Sequence, residues 1–100
     1  MMREGTEPIK LPAFMSEKKN LQMFADQFCL TMRETEILEK LVTTEKGVRE
    51  IADALYISRR SLQRHIASIY EKTGTKSRIG LFQTYMEMIV EEIYNKMAQM

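Results

Sequence analysis

The chain has 100 residues, of which 44% are hydrophobic, 15 are basic and 14 are acidic. This length provides one hydrophobic core, and one cysteine and one histidine exclude an internal disulfide and a zinc site built from such ligands. No charge-free stretch approaches the ~18 to 20 apolar residues of a membrane span, and no secretory signal is present, so we expect a cytoplasmic protein without membrane contact. Abundant Glu, Lys, Leu and Ile beside four Gly and two Pro favour an all-α domain.

The N-terminal region shows one predicted element. Residues 1–15 contain a glycine and two prolines and have no sustained hydrophobic period, so they predict no helix or strand. Ser16 can cap a helix, and apolar residues follow it at helical spacing: Leu21, Phe24, Ala25 and Phe28. We expect an amphipathic helix of about three turns here, which needs a surface to cover.

A second helix is predicted to begin at Met32. Thr31 and Glu34 have the spacing of a capping box, in which a hydroxyl and a carboxylate satisfy two amides at a helix start. Its apolar residues form one stripe: Ile37, Leu38, Leu41 and Val42. The pattern ends in polar residues and a glycine at 43–47, which indicate a turn.

Two further helices are predicted after Gly47. A short one has apolar residues at 48, 51, 52 and 55 and ends near Tyr56-Ile57. Ser58 then offers a cap, and residues 59–73 continue without Gly or Pro to Gly74, which suits a left-handed position past a helix end. Spacing places one set of side chains towards the core, namely Leu62, Ile66, Ile69 and Thr73, and another set on the opposite arc, namely Arg60, Gln63, Arg64, Ala67, Ser68 and Glu71.

Charge is concentrated in residues 58–78, which hold six Lys and Arg and one acidic residue, whereas the segments on either side are acidic. Such asymmetry is typical of polyanion binding, although a solvated basic helix face produces it too. Two short helices joined by a tight turn are typical of a helix-turn-helix, whose second helix enters the DNA major groove. Gln63 can pair with adenine and Arg64 with guanine, and the small Ala67 permits close approach. Ser58, Arg59 and Ser61 can donate to phosphates at the helix start.

These residues also carry a resemblance to a known family. The fixed spacings are Leu30-Thr31-x-Arg33-Glu34-x-Glu36-Ile37-Leu38, Glu50-Ile51-Ala52-x-x-Leu55-x-Ile57-Ser58, Ser61-Leu62-x-x-His65, Ile69-x-x-Lys72 and Gly74-x-x-x-Arg78. Over about residues 30–82 the chain resembles the LuxR/FixJ/NarL-type effector domain. The resemblance implies a four-helix domain of a bacterial transcription regulator, which binds double-stranded DNA sequence-specifically through a recognition helix at 58–73.

Site residues are carried over by position. The resemblance implies base contacts from Gln63, Arg64 and Ala67. It implies phosphate contacts from Arg59, Arg60, Ser61, His65 and Lys72. Arg49 and the cap residue Ser58 are further candidates. The sequence departs from the family pattern at several positions: Leu62 replaces Val, Gln63 replaces Lys, Glu45 stands at a usual glycine, Gly47 stands at a usual Ser or Thr cap, and Tyr70 and Thr73 stand at apolar positions.

The last helix, from about Arg78 to Met97, is predicted to form a homodimer. Its apolar residues span about 240°, whereas a helix that covers one core needs little more than ~100°. We expect the central stripe to meet a second chain, through Phe82, Met86, Ile89, Ile93 and Met97. The alternative is that helix 17–28 of the same chain covers this surface. The resemblance favours the dimer, since two recognition helices can engage two half-sites.

Nothing in the sequence predicts an enzyme, a cofactor or a metal site. His65 has no second histidine near it, and the acidic residues are scattered rather than paired. We interpret His65 as a packing or phosphate-contact residue, with pH sensing as the alternative. We interpret Cys29 as a small buried hydrophobic residue, with a redox switch as the alternative. A helical protein-interaction module of the same fold remains the alternative function.

We divide the chain into an N-terminal extension or linker at 1–29, carrying the first helix, and the helix-turn-helix domain at 30–100. Members of the family usually carry this domain behind a sensory domain, and 1–29 is too short to be one. The chain is therefore either an excised domain, with a sensory domain or partner protein upstream, or a protein that works alone.

Overall fold

The computed structural model describes residues 17–99, and within them all regular structure is helical. Five helices follow one another along the chain: α1 (Lys18–Phe28), α2 (Met32–Thr43), α3 (Val48–Leu55), α4 (Arg59–Thr73) and α5 (Arg78–Ala98). The predicted all-α class is confirmed. Within this part of the chain no helix is long and apolar enough to cross a membrane.

Helix α1 packs on α2 and α5 through its apolar face. Its predicted cap, Ser16, lies outside the described residues, and the N-cap position belongs to Glu17, whose side chain makes no capping hydrogen bond. Phe24 is fully buried, and its ring lies 4.7 Å from that of Phe28 and 5.3 Å from that of Tyr85. The helix ends at Cys29, which adopts a left-handed conformation with φ 58°. Cys29 is exposed, so the prediction that it is buried is wrong.

Helix α2 begins where its capping box predicts. The Thr31 hydroxyl accepts from the Glu34 amide at 3.1 Å, and the Glu34 carboxylate accepts from the Thr31 amide at 2.9 Å. All four residues of the predicted stripe are buried: Ile37, Leu38, Leu41 and Val42. These contacts make α2 the central helix of the core, in contact with α1, α4 and α5.

Helices α3 and α4 form the helix-turn-helix. Gly47 occupies the N-cap position of α3. It has no side chain to cap the helix, but its amide donates to the Glu50 carboxylate at 3.0 Å. The turn between the helices contains Tyr56 in a left-handed conformation, φ 59°. The Ser58 hydroxyl caps α4 by accepting from the Ser61 amide at 3.0 Å, and Gly74 ends the helix with φ 71°, the region that favours glycine.

Helix α5 starts at a second serine cap, where the Ser77 hydroxyl accepts from the Gly80 amide at 3.0 Å. Leu81, Tyr85 and Ile89 bury one face in the same core that holds Leu21 and Phe24 of α1. Because α1 shares this core, it is part of the packed unit and does not behave as a linker. The boundary predicted at residue 29 therefore separates no two packed bodies within residues 17–99.

Candidate nucleic-acid interface

The outer face of α4 is polar and open. Leu62, Ile69 and Thr73 are buried against α2 and α3, as the spacing predicted, and Ile66 is half-buried. Exposed side chains lie opposite them, namely Arg60, Gln63, Arg64, Ala67 and Glu71, together with Arg59 in the first turn of the helix. We call this exposed set the outer arc of α4. It places an amide, three guanidinium groups and a methyl on the exposed surface of one helix, with the Glu71 carboxylate at its far end, and the amide and guanidinium groups can meet base edges and phosphates.

The other predicted phosphate contacts do not share that arc. Taken at about 100° per residue, Ser61, His65 and Lys72 lie on the flank of α4, together with Ser68. Ser61 and His65 are half-buried, and Lys72 turns towards α2. Ser68 also turns towards α2, so its predicted place on the outer arc is wrong. Ser58 and Arg49 are exposed near the start of α4 and on α3 respectively. The predicted contacts therefore divide into an outward group and a flanking group.

A buried carboxylate joins this flank to α2. Glu34 is 4% exposed, and it accepts from Lys72 Nζ at 2.8 Å and from Ser68 Oγ at 2.7 Å, in addition to its bond with the Thr31 amide. Lys72 Nζ also donates to the Cys29 carbonyl at 3.3 Å. We call Glu34, Ser68, Lys72 and the Thr31 amide the Glu34 cluster.

Electrostatics explains why the Glu34 carboxylate stays charged in this position. Burial by itself raises its pKa, since an ionised group loses hydration. The hydrogen bonds from Lys72, Ser68 and the Thr31 amide, with the positive charge of Lys72, more than offset this effect and lower the pKa from 4.5 to about 2. The cluster therefore holds an ion pair at the junction of α2 and α4.

Arg78 forms a second polar anchor, which the sequence did not reveal. Its guanidinium donates to the carbonyls of Leu41 at 2.9 Å, Lys40 at 3.2 Å and Thr44 at 2.6 Å, and also to that of Lys46. These groups belong to the end of α2 and the turn after it, where helix carbonyls have no partner within the helix. Arg78 thus ties the start of α5 to the end of α2.

A third polar contact settles one departure from the family pattern. Thr73 is buried where the family prefers an apolar residue, and its hydroxyl is fully used: it donates to the Ile69 carbonyl at 2.8 Å and lies 2.9 Å from the Thr75 hydroxyl. The polar side chain therefore leaves no unsatisfied group in the core.

The charge of segment 58–78 is accordingly divided. Lys72 and Arg78 direct their charged groups at protein atoms, although the Lys72 side chain remains 33% exposed; Arg59, Arg60, Arg64 and Lys76 are exposed. Two of the six cations counted from the sequence are therefore engaged within the chain.

The apolar sector of α5 is also divided. Leu81, Tyr85 and Ile89 face the core, and Ile89 is 1% exposed, so its predicted contact with a second chain is replaced by packing within its own. Phe82 and Met86 are half-buried against that core. Exposed apolar side chains remain along the opposite side, namely Ile79, Val90, Ile93, Tyr94 and Met97. We call these five residues the α5 stripe.

Comparisons with known proteins agree with this architecture. The sequence matches the family described as bacterial regulatory proteins, luxR family, over residues 29–85. It is 39% identical over 64 residues to the spore germination protein GerE of Bacillus subtilis (strain 168). The aligned residues make up 64% of this chain and 80% of that relative. No solved structure matches significantly. The chain belongs to the LuxR family, whose members are DNA-binding transcription regulators and not enzymes. The predicted family, fold class and lack of catalysis are confirmed.

Proposed function

We propose that the chain binds double-stranded DNA sequence-specifically by placing α4 in the major groove. The observation that carries this proposal is the outer arc of α4, which is polar and exposed directly opposite a buried apolar face. Within it Gln63 and Arg64 have the geometry for adenine and guanine edges, and Ala67 leaves space for the helix to approach the groove floor. The helix-turn-helix of α3 and α4 supports this mode of docking.

The proposed phosphate contacts surround that arc. Arg59 and Arg60 stand at the first turn of α4 beside the Ser58 cap, where the helix dipole favours an anion. Ser61 and His65 border the arc on its flank, and Arg49 extends the basic surface onto α3. Lys72 was assigned to this group from the resemblance, but its ammonium bonds to Glu34.

Selection of bound duplexes from a random pool tests the proposal. We expect one enriched half-site motif, bound more tightly than random duplex in fluorescence anisotropy, with an affinity that falls as salt rises. Enrichment with no sequence preference would contradict specific recognition. Absence of binding at low salt would replace the DNA-binding function with the protein-interaction module.

We propose further that two chains associate through the α5 stripe. Four of its members lie in the last three turns of the helix and Ile79 lies in the first turn, and each of the five is more than 40% exposed, from Ile93 at 43% to Ile79 and Tyr94 at 70%. Helix α1 covers the core side of α5 and leaves this side open. A two-fold pair of chains would bury the stripe and present two recognition helices to two half-sites.

Sedimentation equilibrium tests the dimer. We expect wild type to dimerise and the double variant Val90→Glu, Ile93→Glu to be monomeric with unchanged helical content. Met32→Glu is the matched control, because Met32 is as apolar, is 82% exposed and lies on α2. A wild type that stays monomeric at high concentration would contradict the dimer.

A further inference from the structure

We propose that the Glu34 cluster fixes the position of α4 relative to the rest of the domain, and that Lys72 is a positioning residue and not a phosphate contact. This inference rests on the proposed DNA-binding function. It concerns how the recognition helix is held while its outer arc reads bases.

The geometry of the carboxylate carries the first step. Glu34 stands in the first turn of α2, and its bond to the Thr31 amide restrains its side chain within the capping box. Its other two bonds reach the α4 residues Ser68 and Lys72, which are one helical turn apart. One buried group therefore joins the start of the central helix to two successive turns of the recognition helix.

The second step is the distance from the bases. Ser68 directly follows Ala67 and lies four residues after Arg64, which is about 6 Å along a helix axis, so the anchor lies within about one turn of the residues proposed to read DNA. Hydrogen bonds of 2.7 and 2.8 Å tolerate little displacement before they lengthen and misalign. A base contact made in bidentate geometry needs comparable precision.

The third step concerns the hydrogen-bond partners that the Lys72 ammonium already has. It donates to the buried carboxylate of Glu34 and to the Cys29 carbonyl at the end of α1. The Lys72 side chain is 33% exposed and its third donor is unused, but a phosphate that drew the ammonium away would leave the Glu34 carboxylate, which is 4% exposed, without its cationic partner. Arg59, Arg60 and Arg64 are exposed and carry no such cost.

The two roles predict different salt dependence, and anisotropy titrations of Lys72→Met on selected and random duplexes separate them. A positioning residue should leave the slope of log K against log salt unchanged and reduce the ratio of specific to random affinity by about tenfold, the order of one lost base contact. A phosphate contact would lower the slope by about 0.9 and weaken both duplexes equally. Lys76→Met is the matched control for losing an exposed cation from the same segment.

Ser68→Ala keeps the test valid if Lys72→Met folds poorly, because it removes one hydrogen bond and no charge. We expect a smaller loss of the affinity ratio, an unchanged slope, and shifted amide resonances at Gln63 and Arg64 in the free protein. Two results would overturn the inference while the proposed DNA binding stands. One is a salt slope that Lys72→Met reduces. The other is a Ser68→Ala variant whose amide resonances and affinity ratio equal those of wild type. A wild type that binds no duplex would instead refute the DNA-binding proposal itself.

Discussion

The two halves of segment 58–78 contain the same kinds of side chain and use them differently. In residues 58–67 the Arg side chains are exposed, and the hydrophobic residues of α4 hold that face outward. In residues 68–78 Ser68, Lys72 and Arg78 turn inward and bond to a carboxylate or to carbonyl oxygens. A basic segment can therefore divide its charges between a ligand-facing surface and the joints that hold this surface in place.

The inward half should dominate stability. We expect Lys72→Met to lower the free energy of unfolding by about 3 kcal/mol, the low end for breaking a buried ion pair, because it leaves the buried Glu34 carboxylate without its cation but at a site where Lys72 is one third exposed and water can replace part of the loss. Urea unfolding followed by circular dichroism measures this loss. Lys76→Met, which removes an exposed cation, should change stability by less than about 0.5 kcal/mol. Equal effects of the two changes would contradict the division.

Acid should weaken the same joint. The Glu34 pKa is about 2 in the folded chain, below its ordinary 4.5, so the folded state favours the ionised form. The corresponding stability is fully present above about pH 4.5 and is lost as pH falls towards 2, a difference of about 3 kcal/mol. Glu34→Gln should lack this part of the pH dependence in urea unfolding from pH 7 to pH 2.5. Parallel profiles for wild type and variant would refute the assignment.

Arg78→Ala should cost about 2 to 3 kcal/mol in unfolding free energy. It leaves several carbonyls at the end of α2 without their donor, and water can replace part of what is lost. Arg78→Lys should recover little, since one ammonium cannot reproduce the planar fork of donors. Thermal unfolding of both variants measures this, and full rescue by lysine would show that charge alone matters.

The outward half should dominate DNA reading. We expect Arg64→Ala to cost ~1 to 3 kcal/mol on the selected duplex and much less on random duplex, with unfolding free energy within about 0.5 kcal/mol of wild type. Arg59→Ala is the matched control, which should weaken both duplexes alike. Equal losses on the two duplexes for Arg64→Ala would make Arg64 another phosphate contact.

The smallest expected effect is on the salt dependence of the affinity for DNA. If the three exposed cations proposed as phosphate contacts, Arg49, Arg59 and Arg60, each neutralise one phosphate, each bound chain contributes a slope of about −2.7, at −0.9 per phosphate. All six cations of the segment would give about −5.4. Anisotropy between 50 and 300 mM salt distinguishes these values.

Local features of the fold were predictable from the sequence. Thr31, Ser58 and Gly74 mark helix ends because caps depend on residues within one turn, and all three act as predicted. The core and outer faces of α4 follow from spacing, except that Ser68, predicted on the outer arc, turns to Glu34. What spacing leaves open is the partner of each face, which depends on residues distant in sequence.

The cluster and α5 show this limit. Glu34 was predicted as a capping residue, and its second role depends on Ser68 and Lys72, more than 30 residues away. One sequence feature pointed to the role of Arg78. Helix α2 ends without a glycine, so the carbonyls at its end need another hydrogen-bond donor, but the sequence does not identify which cation supplies that donor. On α5 the sequence predicted an apolar sector wider than one core needs. Only tertiary packing decides that Ile89 faces the core and Val90 faces outward.

The inward orientation of Lys72 and Arg78 has a consequence for the search for a target within a chromosome. Attraction to any duplex grows with the number of cations free to displace counterions, and such attraction retains a regulator on the many sites that are not its own. A chain that engages two cations internally gives up part of this general adhesion and keeps its base-reading side chains. We expect it to leave random DNA quickly, so that occupancy of its operator depends more on the match between sequence and recognition helix than on the abundance of surrounding DNA.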